Sequence, residues 1–380
     1  MLFGRKSSSR SDHSRAGGNT STIVVSVFLL GLTTLTLSVS PAQSQGGTFV
    51  QGRNVNEEEK VIERIEGGPL LDIREQMREF IQKISRYARS QRRNFVVITQ
   101  GAPELLTKID DVDETKVSSA RAYIKSIDGI LVDGLFFGEK EVGVPTRPEK
   151  LEKKLHFIRL AKKNRLNVMV MDYAANADQA AQSYNFNEEL DLTPFVADVK
   201  GEELNSIPTF RKIPFRENPK SVLSMLEVKN FLYLGDTSGF GRQDEFAMRI
   251  HDTNYDMIVV NIMHGRTPLT KQAIETLKYK KIGSKRLVLA HVDIGSAAAY
   301  DYYWQPGWRE GSPVWISGPH NDNPDRYYVQ YWHPEWQSLI FGDTNSYIYG
   351  LIAQGFDGVV LNGLNAYKYH LGDTRGEEDE

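Results

Sequence analysis

Eight short runs rich in Val, Ile and other apolar residues punctuate the chain: Phe95–Gln100, Gly129–Phe137, Asn167–Tyr173, Phe231–Asp236, Met257–Met263, Arg286–Ile294, Tyr328–Trp332 and Gly358–Leu364. Their length and β-branched content predict strands, and their near-continuous apolar character predicts burial on both faces. Apolar positions recur at helical spacing between them. Ile73, Met77, Phe80, Ile81, Ile84 and Tyr87 do so ahead of the first run, and Leu151, Leu155, Ile158 and Ala161 ahead of the third. Leu339, Ile340, Tyr347, Ile348 and Leu351 do so ahead of the last. Strands alternating with helices predict an α/β fold, and eight strands are the number that closes a (β/α)8 TIM barrel. An open doubly wound sheet is the competing architecture. No glycine-rich phosphate fingerprint follows any strand, and Gly235 to Gly241 lacks its spacing. The repeat starts with a helix and ends with a strand. The helix near 73–90 completes the ring if the chain ends lie side by side, the relation that makes circular permutation tolerable.

The flanks bound the domain. Arg5, Lys6, Arg10 and Arg15 form a basic stretch, Ile23 to Ser40 carries no charge, and Ala42, Gln43 and Ser44 supply a small-residue cleavage site. This pattern predicts a signal peptide over 1–44 and a secreted or periplasmic product. A retained N-terminal anchor is the alternative, because the uncharged run is nearly long enough to span a bilayer. Residues 45–65 read as a polar linker, 66–372 as a single barrel domain and 373–380 as an acidic tail. The 380 residues include no cysteine, which excludes disulfides, a thiolate site and lipidation through cysteine. A net charge of −3 implies no basic face for nucleic acid. No apolar segment after residue 45 approaches membrane-spanning length, so no membrane partner is expected once the signal is removed.

Active sites of such barrels sit at the C-terminal tips of the strands. The predicted tips are Gln100, Asp133, Asp172, Asp236, Asn261, Asp293, Trp332 and Asn362. Capping of a following helix is the competing role for any one of them. All five tryptophans fall between Trp304 and Trp336, among Tyr300, Tyr302, Tyr303, Tyr327, Tyr328 and Tyr331. Flat aromatic faces suit the C–H faces of sugar rings, whereas core packing is the competing role. Pro306, Gly307, Gly311, Pro313, Gly318, Pro319 and Pro324 mark this stretch as loop, which favours ligand contact for a minority of the rings. His291, His320 and His333 share a region without metal-ligand spacing, so neither a metal nor a cofactor is expected. No Gly-x-Ser-x-Gly elbow is present.

These stretches resemble the endo-α-1,4-polygalactosaminidase type of glycoside hydrolase, glycoside-hydrolase family 114. The matching segments are Tyr255–Asn261, His291–Gly295 with Tyr300–Trp304, Tyr328–Trp336 and Gly355–Leu361 with Ala366 and Tyr367. The N-terminal half matches through Met77–Ile81, Phe95–Ile98 with Gln100, Ile127–Ile130 with Leu135 and Phe136, and Val170–Tyr173. In that family the segment like Met77–Tyr173 follows the one like Gly355–Tyr369, so the resemblance implies a circularly permuted barrel. It also implies acids that are missing. The family's Glu after the glycine falls on Ser296, two further acidic positions fall on Ala298 and Ala299, and expected Asp positions fall on Asn261, Asn362 and Asn365. An amide or hydroxyl cannot donate a carboxylic proton or act as the base that glycoside hydrolysis needs.

Two readings follow. In one, the chain hydrolyses an amino-sugar, uronic or other exopolysaccharide with Asp133, Asp172 and Asp293, the first two aligning with acidic family positions. Gln100, Asp236, Asn261, Ser296, Tyr300, Trp304, Tyr331, Trp332 and Asn362 would then line the substrate site. In the other, it is a glycan-binding pseudoenzyme that keeps the aromatic cleft. A polysaccharide or oligosaccharide is the expected ligand of both. A purely structural envelope protein would not require acids and aromatics to converge on one mouth.

Overall fold

The computed structural model describes residues 71–109, 116–200, 204–320 and 323–372. The expected signal segment, the 45–65 linker and the acidic tail lie outside the described residues. Eight parallel strands share one sheet: β1 (Val96–Gln100), β2 (Gly129–Asp133), β3 (Asn167–Tyr173), β4 (Thr193–Ala197), β5 (Phe231–Leu234), β6 (Met257–Asn261), β7 (Leu287–Asp293) and β8 (Gly358–Asn362). Their order is β4-β3-β2-β1-β8-β7-β6-β5, so the last strand pairs with the first. The β8–β1 ladder runs from Val96 opposite Gly358 to Thr99 opposite Leu361. The two edges, β4 and β5, pack alongside each other without a ladder. The outcome is a nearly closed, TIM-like barrel with helices between its strands.

One predicted strand takes a different place. Tyr328–Trp332 is not in the barrel: the strand Asn323–Val329 pairs antiparallel with Ser296–Ala298 and Ile316–His320 in a small separate sheet. The barrel position belongs instead to β4, Thr193-Pro-Phe-Val-Ala197. Proline cannot donate to a ladder, and Pro194 is accommodated because β4 is bonded on one side only, to β3.

The helices are α1 (Ile73–Gln91), α2 (Arg121–Ser126), α3 (Pro148–Lys163), α4 (Ala177–Glu189), α5 (Gln243–His251), α6 (Lys271–Leu277), α7 (Pro334–Ile340), α8 (Tyr347–Gln354) and α9 (Ala366–His370). Asp72 starts α1, its Oδ1 accepting the Glu75 N–H at 2.9 Å. The predicted apolar stripe of α1 is its buried face: Ile73, Met77, Phe80, Ile81, Ile84 and Ala88. That face seats α1 against α2 and α8, in the position between β8 and β1. At the lower end of α1, Arg92 donates to the Phe356 carbonyl at 2.7 Å and pairs with Asp357 at 2.6 Å, just before β8. At its upper end the Ile73 carbonyl accepts from Tyr331 OH at 2.8 Å. The N-terminal helix therefore fills the gap left after the last strand.

Residues 294–333 form a large insertion between β7 and α7, built on aromatic contacts. Trp315 and Trp336 are fully buried with ring centroids 5.1 Å apart, and Trp336 Nε1 donates to the Ile294 carbonyl at 3.1 Å. Trp315 and Trp336 are thus structural, and Trp336 anchors the insertion to the end of β7.

Candidate active site

Strand register decides which tip residues face the barrel interior, because positions paired across a parallel ladder share a face. Gln100 pairs with Leu131, and Asp133 with Met171, which puts Tyr173 inward and Asp172 outward. On the other side, His291 pairs with Val360 and Asn261, and Asp293 pairs with Asn362. Gln100, Asp133, Tyr173, Tyr233, Asn261, His291, Asp293 and Asn362 therefore converge on the C-terminal mouth.

Two carboxylates in this ring have contrasting settings. Asp133 is held in a neutral network: Gln100 Nε2 donates to its Oδ2 at 2.8 Å, and Tyr173 OH to its Oδ1 at 3.1 Å. Tyr233 OH in turn donates to Gln100 Oε1 at 3.3 Å. Burial pushes the Asp133 carboxyl above its ordinary range despite these two hydrogen bonds and the charges of Lys154 and Lys200 nearby. Burial, then the Asp133 charge, also hold Tyr173 and Tyr233 well above an ordinary phenol. Asp293 instead meets formal charge and backbone donors. Its Oδ1 accepts the Gly295 and Ser296 N–H groups at 2.9 Å each, and its Oδ2 pairs with Arg326 at 3.0 Å. Burial pulls Arg326 down, but Asp293 and Tyr300 outweigh it and raise the guanidinium above its usual value.

Glycine makes the Asp293 turn possible. A Cβ on Gly295 would strike the Gly363 carbonyl oxygen, and one on Gly363, at φ +77°, would strike Asp293 Oδ1. The ends of β7 and β8 can approach this closely only without side chains there.

Two residues before Asp293 on the same strand lies His291. Its ring meets Tyr233 edge-on at 5.7 Å, and its buried Nε2 has no hydrogen-bond partner among the described residues. Burial lowers its pKa to about 4, so the imidazole is neutral at pH 7.

The remaining expected residues divide. Ser296 is buried, its Oγ accepting from Arg326 at 2.9 Å, and the exposed Tyr300 hydroxyl accepts from the same guanidinium at 2.9 Å. Trp304 is half-buried and stacks on Tyr327 at 5.5 Å; Trp332 packs edge-on against His370 at 4.8 Å. Asn261 Oδ1 accepts the Met263 N–H at 2.9 Å, and Asp236 caps its own turn through Ser238 N and Oγ. Tyr331 and Asp172 lie away from the mouth. Tyr331 is fully buried against α1, and Asp172 is fully buried on the helix side of β3. Asp172 accepts from Phe136 N at 2.9 Å and Ser183 Oγ at 2.6 Å, ties between elements rather than contacts open to a ligand.

Tyr173, Tyr233, His291 and Arg326 were not expected. The first three sit on correctly placed strands and needed only the inward–outward parity. Arg326 lies on the antiparallel strand next to the stretch read as a barrel strand. Among the described residues no three His, Asp or Glu side chains gather in a metal-holding group.

Fold and mouth together define a parallel eight-stranded barrel with two differently held carboxylates at its C-terminal rim. No family model matches the chain. It is similar to an uncharacterized protein of Methanocaldococcus jannaschii, 34% identical over 121 residues, 32% of this chain and 33% of that protein. An uncharacterized protein of Deinococcus radiodurans is 38% identical over 122 residues, 32% of this chain and 37% of its own length. One of Thermotoga maritima is 26% identical over 127 residues, 33% of this chain and 38% of its own. The chain thus spans little more than a third of the relatives it matches.

Proposed function

We propose that the barrel mouth is a glycan site of the glycoside-hydrolase type, with Asp133 as the general acid and Asp293 as the ion-paired carboxylate. The carrying observation is the contrast between them: one inward carboxyl is held by neutral donors with its proton affinity raised by burial, the other is ion-paired to Arg326. Glycoside hydrolysis uses such a division of roles. Tyr300 and the half-buried Trp304 and Trp332 offer aromatic faces for sugar rings. Asp172 supports the site as a positioning residue that holds the loop after Asp133. The substrate class, an amino-sugar or uronic exopolysaccharide, rests on the resemblance to glycoside-hydrolase family 114, and so does the permuted order. The seating of α1 beside the segment that enters β8 supports permutation. Export through the 1–44 segment is part of the same reading.

A binding-only barrel is the second reading. Its specific support is the position where the resemblance expects Glu: Ser296 there is buried and hydrogen-bonded to Arg326, a settled arrangement without an acid.

The test is release of new reducing ends from amino-sugar and uronic polysaccharides. Asp133→Asn and Asp293→Asn are each expected to lower turnover at least about 100-fold while polymer binding persists. Undiminished turnover in both variants would remove the assigned roles. Polymer binding by the parent chain with no new reducing ends would decide for the second reading.

A further inference from the structure

The end of the barrel opposite the mouth carries a second organised surface. A cleft of about 450 Å³ opens there between the segments entering β1, β5, β7 and β8. Arg92, Arg93, Lys278, Lys285 and Arg286 line it, against only two carboxylates, Glu275 and Asp357. Both carboxylates are engaged: Asp357 pairs with Arg92 at 2.6 Å and Lys278 at 3.6 Å, and Glu275 pairs with Lys278 at 3.2 Å. Arg93 and Lys285 have no carboxylate partner among the described residues, and Lys285 Nζ sits 6.0 Å over the Tyr279 ring. The cleft therefore presents uncompensated positive charge.

Exposed apolar side chains stand at the same end. Leu223 is 63% exposed, Leu226 78%, Ile282 50% and Tyr279 40%; Leu223 and Tyr279 also line the cleft. Their segments are rigidly tied. Val222 N donates to the Lys285 carbonyl at 2.9 Å, and Glu227 Oε2 accepts the Leu223 and Ser224 N–H groups at 2.7 and 3.0 Å. The turn satisfies its polar groups internally and leaves two leucines in water, an arrangement that marks an interaction surface.

We infer that this end of the barrel docks on an anionic lipid surface, with headgroup phosphates in the cationic cleft and Leu223, Leu226 and Ile282 entering the interface. Cations beside protruding apolar side chains fit a charged headgroup layer over an apolar interior, and the charge complementarity selects anionic lipid. No helix among the described residues is long and apolar enough to cross a membrane, so the contact is peripheral. It revises the expectation of no membrane partner, which came from the lack of a spanning segment alone. Docking by this end points the mouth away from the membrane, and it stands whether the mouth cleaves glycan or only binds it.

The full chain is tested by co-sedimentation with phosphatidylcholine vesicles with and without phosphatidylglycerol. The parent is expected to prefer phosphatidylglycerol vesicles and to lose that preference in high salt. Arg93→Gln with Lys285→Gln should weaken that binding roughly 30-fold, the effect of removing two surface cations. Leu223→Ser with Leu226→Ser should weaken it as well, with melting temperature unchanged in both. If both double variants bind like the parent, any membrane affinity lies outside the barrel and the inference fails. It also fails if the leucines instead hold a dimer that forms without vesicles.

Discussion

His291 occupies the mouth as a neutral imidazole, and the burial that keeps it neutral makes it sensitive to acid. Its pKa falls from 6.5 to about 4 in the folded protein, so the unfolded chain binds more protons between those values. Its contribution is therefore complete above pH 6.5 and declines as pH falls through that window toward about 4. Asp133 has the opposite sign: its raised folded pKa means that the native state holds the extra proton, and stability falls as pH rises through it. The difference between parent and His291→Gln isolates the first effect. The variant is expected to lose less stability on acidification over this window, by about 1–3 kcal/mol, measured by urea unfolding at a series of pH values. Parallel pH profiles for the two chains would show that the ring is not held neutral. Asp172 and Tyr173 show which part of the site the sequence hides. β3 was placed to the residue, yet Val168, Val170 and Asp172 alternate with Met169, Met171 and Tyr173 along it. A parallel strand buried on both faces carries no amphipathic alternation, so nothing in its composition tells an inward carboxylate from an outward one.

At the scale of elements, Asp172 joins three segments. Its Oδ1 accepts the Phe136 and Phe137 N–H groups of the β2–α3 connection at 2.9 and 3.4 Å, and its Oδ2 accepts from Ser183 and Asn187 of α4 at 2.6 and 3.4 Å. Asp172→Ala would leave two backbone donors without their acceptor in the interior, a loss of about 3 kcal/mol. The urea midpoint reads this directly. An alanine variant as stable as the parent would show that the loop is held by other contacts. Element legibility followed pattern strength. The α1 stripe repeats over five turns and is unmistakable, whereas β4 is five residues with a proline at the second. Tyr328–Trp332 has the aromatic and β-branched content of a strand, and part of it is one, but residue content does not say which sheet a strand joins. The aromatic stretch holds both buried and half-buried rings. Loop residues around tryptophan predict exposure, but an insertion of this size needs its own core, and Trp315 and Trp336 supply it.

On the scale of the whole molecule, the first and last described helices, α1 and α9, meet near the mouth end of the barrel. The Arg74 guanidinium lies 5.3 Å from the Tyr367 ring, and α1 packs against α9. The ring of strands has its only unladdered seam among the described residues between β4 and β5, and their connection runs through exposed Lys212 and Ile213. These two facts separate the order of elements in the chain from their order in space. A short flexible linker from Gly372 to Leu71 costs little entropy, and opening the chain between Lys212 and Ile213 breaks no barrel ladder. Such a rearranged chain would begin with β5 and place α1 after β8 and the short α9, close to the helix-after-strand order that an unpermuted barrel has. It is expected to unfold cooperatively within about 2 kcal/mol of the parent, with the same far-ultraviolet circular dichroism and the same polysaccharide affinity. A chain that fails to fold when α1 follows β8 would mean that α1 must form ahead of β1 to template it, and the case for permutation from the seating of α1 would fall with it.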